Sequence, residues 1–156
     1  MRPLQPGSAP RHARGISLIE VMVSVLVLAV GLLGIAAMQA LALRNGQGSL
    51  ESTQAVMATN SMLEAIRANR TQADSNNMVK TCSTPAGGTT LVVNDKAAWI
   101  SMLKSTIGTG ATDATTCGQI TDCDDANATN CTVTVFWDDS RAGGATDRSL
   151  SVEAQI

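Results

Sequence analysis

Hydrophobic residues dominate the chain from Ile16 to Leu43 and then give way to a spaced pattern. Val21 to Met38 reads VMVSVLVLAVGLLGIAAM, about 18 residues without a charge, near the lower limit for a helix that crosses a bilayer. Polar residues enter at Arg44, yet apolar positions return at helical spacing at Leu50, Val56, Met57, Leu63 and Ile66. Glu64 lies in the same run, and Arg67 and Arg70 lie near its end. The spacing predicts that the apolar helix continues as an amphipathic one to about Ala68, with that stripe covered by the rest of the protein.

Later in the chain the period changes from helical to alternating. Cys131, Val133, Val135 and Trp137 alternate with Thr132, Thr134 and Phe136; residues 138–146 (DDSRAGGAT) supply turn chemistry; Leu150, Val152, Ala154 and Ile156 alternate again. This predicts a hairpin with one apolar face. Asn94 or Asp95 is expected to cap a short helix through Ala97, Ala98, Trp99, Met102 and Leu103 that ends near Gly108, with Trp99 in the core. Thr71 to Thr90 and Thr109 to Asn130 read as loops, long enough to need external restraint. The fold class that follows is α+β: one long N-terminal helix packed on a small antiparallel sheet made by the C-terminal third.

Composition narrows the chemistry. The only aromatic residues are Trp99, Phe136 and Trp137, so the core must be aliphatic and small-residue in character. Arg2, Arg11 and Arg14 precede Gly15, whereas all thirteen acidic residues follow it; without that basic stretch, eight basic residues face thirteen acidic ones, a net charge of −5. Such a chain is a poor general ligand for nucleic acid, and no direct nucleic-acid binding is expected. The single histidine, His12, lies in the same basic stretch, so the segment after Gly15 has no imidazole for acid–base or metal chemistry. With no G-x-S-x-G and no phosphate loop either, no catalytic residue and no cofactor is expected.

The four cysteines, Cys82, Cys117, Cys123 and Cys131, form no C-x-x-C pair and read as two disulfides in an oxidising compartment. All three pairings are open; Cys82 and Cys117 flank the predicted short helix and Cys123 lies beside the strand that Cys131 opens, which favours Cys82 with Cys117 and Cys123 with Cys131. Asp122, Asp124 and Asp125, near Asn127 and Asn130, offer oxygen ligands of the kind calcium takes. The glycine and distal glutamate of an EF-hand loop are missing, so a solvated acidic loop without metal is the expectation.

The front of the chain carries the most specific pattern. Basic residues before the apolar run hold the N-terminal side in the cytoplasm, and the cysteine-bearing part would emerge on the opposite face. A conventional secretory signal is cut after its apolar run, but here the basic stretch comes first and the apolar run follows. Arg14-Gly15-Ile16-Ser17-Leu18-Ile19-Glu20-Val21 resembles the prepilin signal of the type IV pilin-like family: a basic leader ending in glycine, then an apolar start with glutamate as the fifth residue. The chain has Ile16 and Ser17 where the commonest pattern has phenylalanine and threonine, and it has no proline between Ile16 and Arg70, where many major pilins carry one. Gly31 and Gly34 are left either as soft points or as a small face for close helix packing.

The resemblance implies a pilin-like fold and four segments: a cleaved leader (1–15), an apolar transmembrane and assembly helix (16–43), its amphipathic continuation (44–70), and a periplasmic or extracellular α+β head with disulfides (71–156). It implies processing at Gly15 and Ile16 by a prepilin peptidase that also methylates the new N-terminus. It further implies assembly with major and minor pilins and with the inner-membrane pilus machinery, and a tip adhesin as a further partner. The location implied is the bacterial inner membrane with a periplasmic head, then a pilus filament or its tip. Two readings of Glu20 stay open: a lone carboxylate among head groups, or an acid that neutralises the freed amine of Ile16 in its own or a neighbouring subunit. The function implied is a non-enzymatic minor pilin; a minor pseudopilin of type II secretion and a monomeric membrane-tethered binding domain are the alternatives.

Overall fold

The computed structural model describes residues 15–123 and 130–156. Helix α1 spans Leu18–Ala68, reaching the end that its periodicity predicts. The chain divides into two compact units, Met1–Ala40 and Leu41–Ile156. In the first, every described residue is exposed, and the best 18-residue window has a mean hydropathy of 2.7 with none of it buried. By length and composition this stretch can cross a membrane.

The second unit joins the C-terminal part of α1 to helix α2 (Leu91–Thr106) and strands β1 (Met78–Thr81), β2 (Cys117–Thr121), β3 (Asn130–Trp137) and β4 (Arg148–Gln155). The sheet has order β1-β2-β3-β4 and every neighbouring pair is antiparallel. This is an α+β, pilin-like arrangement, with a long N-terminal helix packed on a small four-stranded sheet. In β3 and β4, Cys131 faces Ala154, Val133 faces Val152 and Val135 faces Leu150, so the alternating apolar positions of the two strands share one face.

The buried side of α1 is Ala55, Ala58, Thr59, Met62, Leu63 and Ile66, a run of three- and four-residue steps. Of the expected stripe, Leu63 and Ile66 are covered, but Leu50 (58 %), Val56 (40 %) and Met57 (64 %) are exposed. The expectation had merged two faces. Leu50 and Met57 stand seven residues apart on one side, while the opposite side, with Ala55, Ala58, Met62, Leu63 and Ile66, joins the core of the head.

Two segments read as loops contain strands β1 and β2, and a 3-10 turn precedes β1 at Arg70–Asn76. Neither strand is long or aliphatic enough to announce itself; pairing to β3 makes β2, and pairing to β2 makes β1. The start of α2 is also corrected: Thr90 is its N-cap, accepting the Val93 N–H at 3.4 Å. Asn94, expected as a cap, instead exchanges two hydrogen bonds with the backbone of Gly88, both at 3.0 Å.

Trp99 is core, 4 % exposed. It lies over Gly118 of β2, where a Cβ would stand 2.7 Å from Ile100 Cδ1 and would also strike the indole. Glycine is required there because helix and sheet touch through the missing side chain.

Candidate processing and assembly site

Gly15, Ile16 and Ser17 are exposed and precede the first helical turn. The Ser17 carbonyl accepts the N–H groups of Glu20 (3.0 Å) and Val21 (3.3 Å), which starts α1 two residues after Ile16. The Gly15–Ile16 bond therefore lies in exposed backbone just outside the helix. Glu20 sits in the first turn of α1, where a negative charge complements the positive end of the helix dipole. It makes no ion pair with any described residue. Ser24 donates its hydroxyl to the Glu20 main-chain carbonyl at 2.7 Å. Arg2, Arg11, His12 and Arg14 lie outside the described residues.

In the head, disulfides join Cys82 to Cys117 and Cys123 to Cys131. The first ties the end of β1 to the start of β2, and the second closes the connection between β2 and β3. Asn77 braces the same corner, donating to the Cys123 carbonyl at 2.8 Å and accepting its N–H at 3.1 Å. Of the acidic residues considered for calcium, Asp122 accepts the Thr121 hydroxyl at 2.9 Å, and Asp124, Asp125 and Asn127 lie outside the described residues. Asn130 donates to Glu153 at 2.6 Å. Among the described residues no group of three or more histidines, cysteines or carboxylates is placed to hold a metal ion.

Two charged arrangements escaped the sequence reading. Asp113 ties the α2–β2 connection, accepting the N–H of Thr109 (3.0 Å), the N–H and hydroxyl of Thr115 (both 2.7 Å) and the hydroxyl of Thr116 (2.7 Å). Burial pushes this carboxyl up, but those donors outweigh it and hold it well below the usual carboxylate range. Lys104, itself buried, donates to the Asp113 main-chain carbonyl. The second arrangement joins α1 to the β3–β4 connection: Arg141 pairs with Glu51 at 3.1 Å, and Arg148 pairs with Asp139. A run of aspartates, threonines and glycines signals turns; it does not say which distant helix the turn will meet.

A cavity of about 330 Å³ between α1 and α2 is lined by Met62, Ala65, Ala98, Trp99 and Met102, with Ser61 and Asp95 at its polar side. Trp99 spends its indole N–H on the Ala58 carbonyl, at 3.0 Å.

Residues 10–36 match the family described as the prokaryotic N-terminal methylation motif. Compared with curated proteins and with solved structures, the chain finds no match. The matched residues contain Gly15, Ile16 and Glu20 and run into the apolar part of α1, which supports a type IV pilin-like protein and fits inner-membrane anchoring.

Proposed function

We propose, with a type IV pilin-like chain as the premise, that this protein is a minor type IV pilin: a structural subunit that primes or modifies filament assembly and catalyses nothing itself. The observation that carries the reading is the methylation motif running directly into an exposed apolar helix whose one ionisable side chain between residues 16 and 43 is Glu20.

Prepilin peptidase cuts after Gly15, removing leader 1–15 and freeing an α-amino group on Ile16, which it methylates. Segment 16–43 anchors the subunit, 44–70 continues the helix, and the head of residues 71–156 lies in the periplasm. A carboxylate at the centre of a bilayer costs about 2.5–3.5 kcal/mol on insertion scales. Pairing Glu20 with the amine of Ile16, in its own or a neighbouring subunit, offsets that cost and sets the stagger between helices. The exposed line Leu43, Leu50 and Met57 on α1 gives neighbouring apolar helices a further surface to pack on.

Within the family, Ala29 to Gln39 and the late strand and turn from Thr132 to Asp139 look most like the minor pilin PilV. The same front end suits a minor pseudopilin of type II secretion, since the motif is common to both. N-terminal analysis of membrane-extracted protein tests the premise: a chain beginning at methylated Ile16 supports it, and a working form that keeps Met1 to Gly15 removes it. A cysteine placed at Ile35 separates subunit from lone tether, because a filament subunit cross-links to other pilins.

A further inference from the structure

Glu51 of α1 and Asp139, just after β3, meet inside the head. Asp139 is 2 % exposed and the Glu51 side chain 12 %. Each is held by an arginine through one oxygen: Arg141 donates to Glu51 Oε1 and also to the Ile107 carbonyl at 3.0 Å, and Arg148 donates to Asp139 Oδ2. The remaining oxygens, Glu51 Oε2 and Asp139 Oδ1, are buried and meet no donor. Asp139 lies close enough to Glu51 for its charge to push the Glu51 carboxyl up. Gly48, one turn before Glu51, permits the approach: a Cβ there would stand 3.2 Å from Asp139 Oδ1 and 3.1 Å from Ala142 Cβ.

Two ionised carboxylates are both acceptors and cannot hydrogen-bond one another. A single proton makes one of them a donor and gives both orphaned oxygens a partner. We propose that Glu51 carries this proton and shares it with Asp139, and that the shared proton fastens the β3–β4 connection to α1 as a clasp that loosens when the proton is lost.

The surroundings set the direction. Burial pushes the Glu51 carboxyl up, Arg141 opposes it, and Asp139 and then Asp138 push it further, so its value in the folded protein lies above the ordinary 4.5. The groups facing the pair are Arg141 and Asp138 from the connection and Arg148 from β4. Arg44 of α1 reaches the Arg141 carbonyl at 3.2 Å, and Lys104 donates to the Asp113 carbonyl. A carboxyl whose folded value is raised contributes stability that is complete below its unfolded value and is lost as pH rises through its folded value. The clasp is therefore tightened by acid. On opening, the proton passes to water and two facing carboxylates remain, each still tied to its arginine.

The clasp lies within residues 41–156 and stands whether or not the chain enters a filament. Carboxyl NMR on the full chain in detergent, with labelled glutamate, reads only Glu20, Glu51, Glu64 and Glu153. One signal should titrate with a midpoint above 4.5, vanish in Glu51→Gln, and shift downward in Asp139→Asn, whose amide can donate without a shared proton. Glu51→Gln should also remove the fall in thermal midpoint that the native protein shows as pH rises through that value. A Glu51 signal titrating at or below 4.5, or one that Asp139→Asn leaves unmoved, overturns the clasp.

Discussion

Trp99 donates its indole N–H to the main-chain carbonyl of Ala58, 3.0 Å away, so that a side chain of α2 bonds directly to the backbone of α1 in the interior of the head. The bond joins two helices at the point where Gly118 lets the indole lie on the sheet. Trp99→Phe keeps a ring there but loses the donor and leaves a void. A loss of about 1–3 kcal/mol is expected from denaturant unfolding of the purified chain.

Gly118→Ala acts on the same contact from the sheet side. The added methyl has no space between Trp99 and Ile100, and neither can retreat without opening the core. The expected destabilisation is about 1–3 kcal/mol or more by the same measurement; a variant as stable as the native chain would mean that Trp99 does not press on β2.

Asp113→Asn should alter the acid limb of the stability curve. The hydrogen-bonded carboxylate has a folded value below its unfolded one, so it contributes stability present above the ordinary 3.8 and lost as pH falls from there toward the folded value. The amide cannot accept from so many donors, and a loss of about 1–3 kcal/mol near neutral pH is expected. Thermal midpoints across an acid series should show a shallower decline for the variant than for the native protein.

The two disulfides should differ in weight. Cys82–Cys117 spans 35 residues of sequence and Cys123–Cys131 spans 8, so in the chain-entropy account the first is worth about 4 kcal/mol and the second about 2.5 kcal/mol. Replacing each pair by serines and comparing unfolding midpoints checks the order. Intact mass of exported protein after alkylation should show no free thiol.

Glu20→Ala separates processing from assembly. On the proposed reading, cleavage after Gly15 should continue, because Gly15 and Ile16 lie before α1, while incorporation beside other pilins should fall. Mass spectrometry of the N-terminus and filament pull-down read the two steps independently, and normal incorporation of the variant would count against charge pairing.

Much of this was legible in the chain because it is local. The end of α1 follows from periodicity and the β3–β4 hairpin from alternation around DDSRAGGAT, while the disulfides that form are the pairing the sequence favoured among three it left open. What stayed hidden depends on partners far away in sequence. Strand β1 has four residues and gains its identity from β2, while the packing of the core rather than the residue types decides that Ala55 and Ala58 are covered and Met57 is not. Glu51 and Asp139 carry no local sign that they meet, since each looks like an ordinary solvated acid.

Each strand of the sheet lies beside the one made just before it. The head can therefore be built in the order in which it emerges from a ribosome or a membrane channel, every new strand docking on a finished edge, without waiting for a distant segment. Its final rung, Arg148–Gln155, both completes the hairpin and brings Arg148 to Asp139. Without that rung the long rim of β3 would be bare, a template for sticking to its neighbours, so β4 also guards the head against clumping.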